Sequence, residues 1–224
     1  MSNRKLFEYE SETGYSDEIV PMLKVVPEWY KKMPKSIMIP ENNIEEPTGT
    51  AKLCVPFLES MTVGYCIKLW QDVLVEQTPN GPVFRYKTGN VVGSRSPLQT
   101  DPMPVPFGYE PYYYTWIVSA AIKLPEGYSA IYTHPFNRFD LPFVTLTAVI
   151  DNDTSIPGGN SPFFLQKGFE GLIPKGTPIT QVIPFKREDW VSKEVKGLAA
   201  FGRSHEKGPH DWYRKFWWRR KSYK

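Results

Sequence analysis

Twenty-two prolines and 16 glycines are scattered through all 224 residues, and no regular element can run far between them. Proline removes a backbone donor and breaks a helix interior, and glycine weakens one. A chain punctuated this way folds into short extended segments joined by turns. Aromatic residues make up 15% and hydrophobic residues 41%, which suits β-sheet surfaces around one core better than a helical bundle. The expectation is a mainly β protein with one folded body.

Residues 1–50 are polar and proline-punctuated, with an aromatic-basic patch at 26–35 and an acidic loop at 41–46. They read as an arm that packs on the body. The first strong β signal spans residues 52–77, where Tyr65, Ile67 and Leu69 alternate with Cys66, Lys68 and Trp70. Asn80-Gly81 marks a hairpin. Residues 93–114 contain five prolines and read as an ordered loop. Beyond it, 116–124 and 128–133 are expected strands around the turn Pro125-Glu126-Gly127. Residues 141–150 are apolar nearly throughout and predict one buried strand ending at Asp151. After turns at 155–162 and 174–177, residues 179–185 form the last expected strand. Residues 189–200 predict a short helix with Trp190, Val191, Val195 and Leu198 on one face. The organisation is an arm over 1–50, a β body over 51–188, and a helix plus basic-aromatic extension over 189–224.

Charge is uneven. The net charge is +3, yet residues 211–224 carry six Lys/Arg against one Asp, so everything before them sums to −2. That tail holds Trp212, Arg214, Trp217, Trp218, Arg219 and Arg220. Interleaved cations and indoles suit three uses: packing against a neighbouring subunit, contacting nucleic acid by phosphate pairing and stacking, or lying on a membrane surface. The only cysteines, Cys54 and Cys66, show no metal-ligand spacing with the histidines, and both read as buried thiols of a reducing compartment. No 18-residue apolar run and no apolar leader occur, so a cytoplasmic protein without a membrane span is expected, of a cell or of a virus replicating in one.

Polar residues gather at expected strand ends between 124 and 188: His134, Asn137, Arg138, Asp140, Asp151 and Asp153. Such positions carry binding and catalytic groups on rigid β scaffolds. His134 suits a general base or a phosphate partner, or else a histidine bonded to a turn carbonyl. Arg138 and Asp140 are spaced for a loop ion pair. Asp151 and Asp153 present two carboxylates, suited either to a divalent cation or to capping a turn.

Motif order carries a resemblance. The stretches SMTVGYCIKLWQDVLVEQ (60–77), LPEGYSAIY (124–132), TAVIDNDT (147–154) and GLIPKGTPITQVIPF (171–185) resemble successive motifs of the dUTPase and dCTP deaminase superfamily. That resemblance implies a β-clip, a jelly-roll-like set of short strands, and a homo-oligomer, with a trimer favoured. It implies that Asp151 orients the attacking water, that His134, Asn137, Arg138, Asp140, Asp153 and Gln181 surround the ligand, and that Mg2+ accompanies an enzyme. The chain departs from the pattern at Cys66, where the family has Asp, at Thr154, where it has an aromatic, and at Phe136-Asn137-Arg138, where it has Arg-Ser-Gly. Most triphosphate-clamping donors are thereby replaced.

The chain also resembles families of bacteria and tailed phages, marine and T4-like, whose activity is not established. Their marks are His-Pro-x-Asn-Arg (134–138), Val-Ile-Asp-x-Asp (149–153) and a Pro-Lys-Gly-x-Pro run (174–185). Together the two resemblances imply a noncatalytic oligomeric β-clip-like protein, phage-encoded and serving in a virion or its assembly, with other assembly proteins or nucleic acid as partners and no cofactor. The alternative is a divergent nucleotide hydrolase.

Overall fold

The computed structural model describes residues 5–11, 19–41, 44–99, 101–156, 160–198 and 213–224. The protein is mainly β. Strands β1 (Glu8–Ser11), β2 (Ile19–Pro21) and the hairpin β3 (Ser36–Glu41) and β4 (Ile44–Gly49) come from the N-terminal region, with helix α1 (Glu28–Lys32) between them. Helix α2 (Val55–Ser60) precedes β5 (Tyr65–Lys68), β6 (Val73–Thr78) and β7 (Gly81–Arg85). Then come β8 (Val92–Ser94), β9 (Tyr109–Ile117), β10 (Ala120–Lys123) and β11 (Tyr128–Thr133). The last are β12 (Phe143–Thr145), β13 (Ala148–Ile150), β14 (Asn160–Gln166), β15 (Gly171–Ile173) and β16 (Pro178–Lys186).

These strands form an antiparallel five-stranded sheet in the order β13-β11-β16-β5-β2, a four-stranded sheet β12-β14-β9-β8 and a three-stranded sheet β15-β6-β7. Two-stranded ribbons β1-β10 and β3-β4 complete the described sheets. The core draws on all three larger sheets. Trp116 stacks on Phe163 with ring centroids 4.0 Å apart, and Phe143 meets Trp116 edge-on at 5.1 Å. All three are essentially solvent-free, and burying each aromatic ring contributes roughly 2–3 kcal/mol.

Several expectations hold. Asn80-Gly81 makes the β6-β7 hairpin, Pro125-Glu126-Gly127 turns the chain into β11, and Pro174–Thr177 turns it into β16. In the N-terminal region β1 pairs with β10, and β2 with β5.

Others are corrected. The first half of the 52–77 β signal is helix α2, nucleated by Pro56 in its first turn. The 93–114 loop ends early, because β9 starts at Tyr109 and tolerates Pro111 within it. Residues 141–150 are two strands. β12 joins β14 in the four-stranded sheet, then the chain passes through Leu146 and Thr147 and β13 forms an edge of the five-stranded sheet, where Val149 is exposed. A run apolar throughout reads alike whether it stays in one sheet or crosses between two.

Residues 189–195 are irregular and 196–197 form a turn, so the expected helix is not formed over them; Leu198 is helical, and 199–200 lie outside the described residues. The apolar residues meant to cement it, Trp190 and Val191, are 85% and 94% exposed, and a helix this short needs a packed face to persist. Cys54 is exposed and Cys66 buried, both as free thiols, so only one of the two matches the buried reading. Among the described residues no helix is long and apolar enough to cross a membrane.

Gly64 in the Gly-Tyr motif has a plain structural role. Its φ is +78°, and a Cβ there would stand 2.2 Å from the carbonyl oxygen of Val182 on β16. Its own carbonyl accepts the Met22 N–H at 3.1 Å. Only glycine lets β5 enter the sheet this close to β16 while holding the N-terminal segment.

Candidate functional site

The polar residues singled out by the sequence fall into two groups at opposite ends of β11. Antiparallel register fixes this: Tyr128 pairs with Lys186 and Thr133 with Gln181, while Ala130 pairs with Ile150 of β13. Asp151, one residue past β13, therefore lies at the Tyr128 end. His134, one residue past β11, lies at the other. The strand from Ser129 to His134 covers about 17 Å at ~3.3 Å per residue.

At the His134 end the loop 134–140 is tied down from every side. The imidazole Nδ1 accepts the Thr145 N–H at 3.3 Å, which fixes the proton on Nε2, and Nε2 donates it to the Arg138 carbonyl at 3.1 Å. Both ring nitrogens are spent on backbone. Burial lowers the His134 pKa, favouring this neutral ring. Asn137 occupies the left-handed region with φ 60°, and its side-chain amide donates to Ser60 Oγ at 2.8 Å. Arg138 clasps Asp140 with two parallel bonds, Nε to Oδ1 at 2.8 Å and Nη2 to Oδ2 at 2.9 Å. Burial of the Asp140 carboxyl works to raise its pKa, but the Arg138 hydrogen bonds and charge outweigh this and keep it ionised.

Gln181 on β16 is fully buried beneath this loop. Its carboxamide nitrogen donates to the carbonyls of Ser60 at 3.0 Å and Val63 at 2.8 Å, and its oxygen accepts the Phe136 N–H at 2.9 Å. One side chain thus joins the end of α2, the turn before β5 and the His-Pro-Phe-Asn-Arg loop. Cys66 nearby is inert: burial pushes its thiol up to about 12.

At the other end the organising residue is Arg187, just past β16. Its guanidinium bonds both carboxylate oxygens of Asp153, reaches Ser129 Oγ at 3.1 Å, and lies 3.4 Å from Asp151 Oδ1. Asp153 also accepts the Gly127 N–H at 2.8 Å. The Arg187 hydrogen bonds hold its pKa down to about 2. Asp151 accepts from Ser129 Oγ at 2.6 Å and stays exposed. Between the two aspartates Asn152 is fully buried, accepting from Tyr132 Oη at 3.2 Å and donating to the Ile122 carbonyl at 3.3 Å.

A Mg2+ ion does not fit this pair, because Arg187 already supplies the positive charge that both carboxylates face. Among the described residues no group of three or more His, Cys, Asp or Glu side chains comes together as a metal site.

No protein-family model matches the chain, and no curated protein matches it. The geometry therefore stands by itself. Within one chain it unites His134, Asn137, Arg138, Asp140 and Gln181, and separately Asp151 and Asp153.

The basic tail folds back on the body. Lys221 pairs with Glu59 of α2 at 2.7 Å, and Tyr223 meets Tyr65 edge-on at 5.8 Å. Trp218 is half-buried in the wall of a 680 Å³ cavity shared with Leu23, Leu58, Val63, Arg214 and Arg220. Trp217 and Arg219 are exposed, and Trp212 lies outside the described residues. Ser60, Asn152 and Arg187 were not singled out in the sequence. For Arg187 the available signal was the Lys-Arg-Glu cluster directly after the last strand.

Proposed function

We propose that this chain is a noncatalytic, self-assembling β protein of β-clip-like architecture, phage-encoded and serving as a virion or assembly component. The observation that carries the reading is the spent chemistry of the expected phosphate clamp. His134 uses both nitrogens on backbone, Arg138 is clasped by Asp140, Asn137 is bound to Ser60, and Gln181 is saturated. A clamp that binds triphosphate needs donors aimed at open space. These donors are aimed at their own fold, and Asp151 lies a strand length away from them.

Assembly is supported by the apolar surface that a single chain leaves uncovered, including Ile37, Met38, Phe107, Phe139 and Trp190. Exposed apolar side chains of this kind are available to an interaction surface. A protein of a phage particle, working beside other assembly proteins in the host cytoplasm or the virion, would use it this way.

The test is a turnover screen of the purified protein against deoxynucleoside triphosphates with magnesium, beside sedimentation of the full chain and of a chain truncated at Gly208. No turnover, with an oligomer that weakens on truncation, is expected. Hydrolysis that disappears in Asp151→Asn overturns the reading.

A further inference from the structure

Phe7, Tyr65, Tyr128 and Tyr223 line a recess at the Tyr128 end of β11, opposite the His134 loop. Tyr65 of β5 and Tyr128 of β11 belong to the five-stranded sheet, and Leu124 and Pro125 of the turn before β11 continue that wall. Backbone bonds fix the turn: the Leu124 N–H donates to the Asn152 carbonyl and the Tyr128 N–H to the Pro125 carbonyl, both at 3.1 Å. Phe7 stacks on Tyr65 with ring centroids 3.9 Å apart, and Tyr223 stands edge-on to Tyr65 at 5.8 Å. The recess has a volume of 370 Å³, within the range of small-molecule sites.

An aromatic recess can take a flat apolar ligand or, as a cage, an organic cation. Charge decides between them. Lys5 and Lys224 line the recess, and Lys5 Nζ already lies 5.9 Å from the centre of the Tyr128 ring. No Asp or Glu side chain lines it. Through Ser222, Tyr223 and Lys224 it adjoins the 680 Å³ cavity that carries Arg214, Arg220 and Lys221, where the single carboxylate, Glu59, is paired with Lys221 at 2.7 Å. A charged group at this shared wall meets a positive field, which repels a cation and attracts an anion. Burial pushes the pKa of Tyr65 and of Tyr223 up, so their hydroxyls remain neutral donors.

We propose that this recess binds a small planar anion, an aromatic ring that bears a carboxylate or a phosphate. The ring packs among Phe7, Tyr65, Tyr128 and Tyr223 by offset and edge-on contacts. The anionic group faces Lys5 and Lys224. Assembly plays no part in this site, because every residue that builds it comes from one chain.

An NMR titration of the full chain tests it, with naphthoate and naphthyl phosphate as probes and the Leu6 and Leu124 methyls, which line the recess, as reporters. Saturable shifts at both methyls are expected with the naphthyl anions, and the tighter of the two identifies the preferred anionic group. Naphthylmethylammonium, with the same ring and the opposite charge, is expected to bind at least about tenfold more weakly. Inorganic phosphate is expected to leave both methyls unmoved. Lys5→Glu/Lys224→Glu alters exposed side chains only and is expected to weaken the naphthyl anions about tenfold. Methyls that neither anion shifts, a cation that binds as tightly, or inorganic phosphate that shifts them equally would overturn the proposal. So would a double variant that folds and binds both anions like the wild type.

Discussion

The buried carboxamide of Gln181 accepts the backbone N–H of Phe136 at 2.9 Å while giving both its protons to the carbonyls of Ser60 and Val63. The loop that carries His134, Asn137 and Arg138 is anchored through this one side chain. Gln181→Leu is expected to cost about 3–5 kcal/mol, since it strands one buried donor and two acceptors at ~1–3 kcal/mol each, partly relieved by relaxation. Gln181→Glu should be as harmful at neutral pH, where a carboxylate would face two carbonyls, and milder in acid, where it protonates. Denaturant unfolding of the two variants at both pH values checks this.

Gly64→Ala is expected to be severely destabilising, by about 3 kcal/mol or more, because its Cβ would meet the Val182 carbonyl rather than a side chain able to rotate away. Gly127→Ala, whose φ is also positive but whose added Cβ meets nothing within 4 Å, is the control and should cost only about 1 kcal/mol. Paired thermal melts distinguish them.

His134 has a lowered pKa in the folded protein, first because it is buried. The unfolded chain therefore takes up its proton first as pH falls below about 6.5. The stability linked to neutral His134 is present above that value and is lost as pH falls toward the depressed folded pKa. A plot of melting temperature against pH should slope downward below 6.5, and His134→Phe should remove that slope.

Asp153 follows the same direction over a lower range. Its folded pKa, held to about 2 by Arg187, lies below the usual 3.8, so its contribution is present above pH 4 and lost as pH falls toward 2. Arg187→Met should destabilise the protein at pH 7, and the difference from wild type should vanish near pH 2.

Turn chemistry made much of the fold legible from sequence. Asn80-Gly81, Pro125-Glu126-Gly127 and Pro174–Thr177 each force a reversal wherever they stand, so the strands that follow them, β7, β11 and β16, lie where the sequence puts them, whereas the stretch 116–124 before the second turn is divided between β9 and β10. What failed was pattern without punctuation. The apolar run 141–150 contains no breaker except Pro142, yet it is divided between two sheets. Residues 52–60 look strand-like until Pro56 is recognised as a helix-starting residue. For the site, the residue types were visible but their partners were not. Arg138 and Asp140 are two apart and form the ion pair their spacing allows. Asp153 and Arg187 are 34 apart and meet only because β11 pairs with both β13 and β16.

The most direct measurement is the nitrogen NMR titration of His134 with and without saturating deoxynucleoside triphosphate and magnesium. The account predicts a neutral ring with its proton on Nε2, a pKa below 6.5, and resonances that the nucleotide leaves unmoved. A His134 whose Nε2 shifts, or whose pKa rises, when triphosphate is added would contradict it, because a phosphate would then have displaced the Arg138 carbonyl.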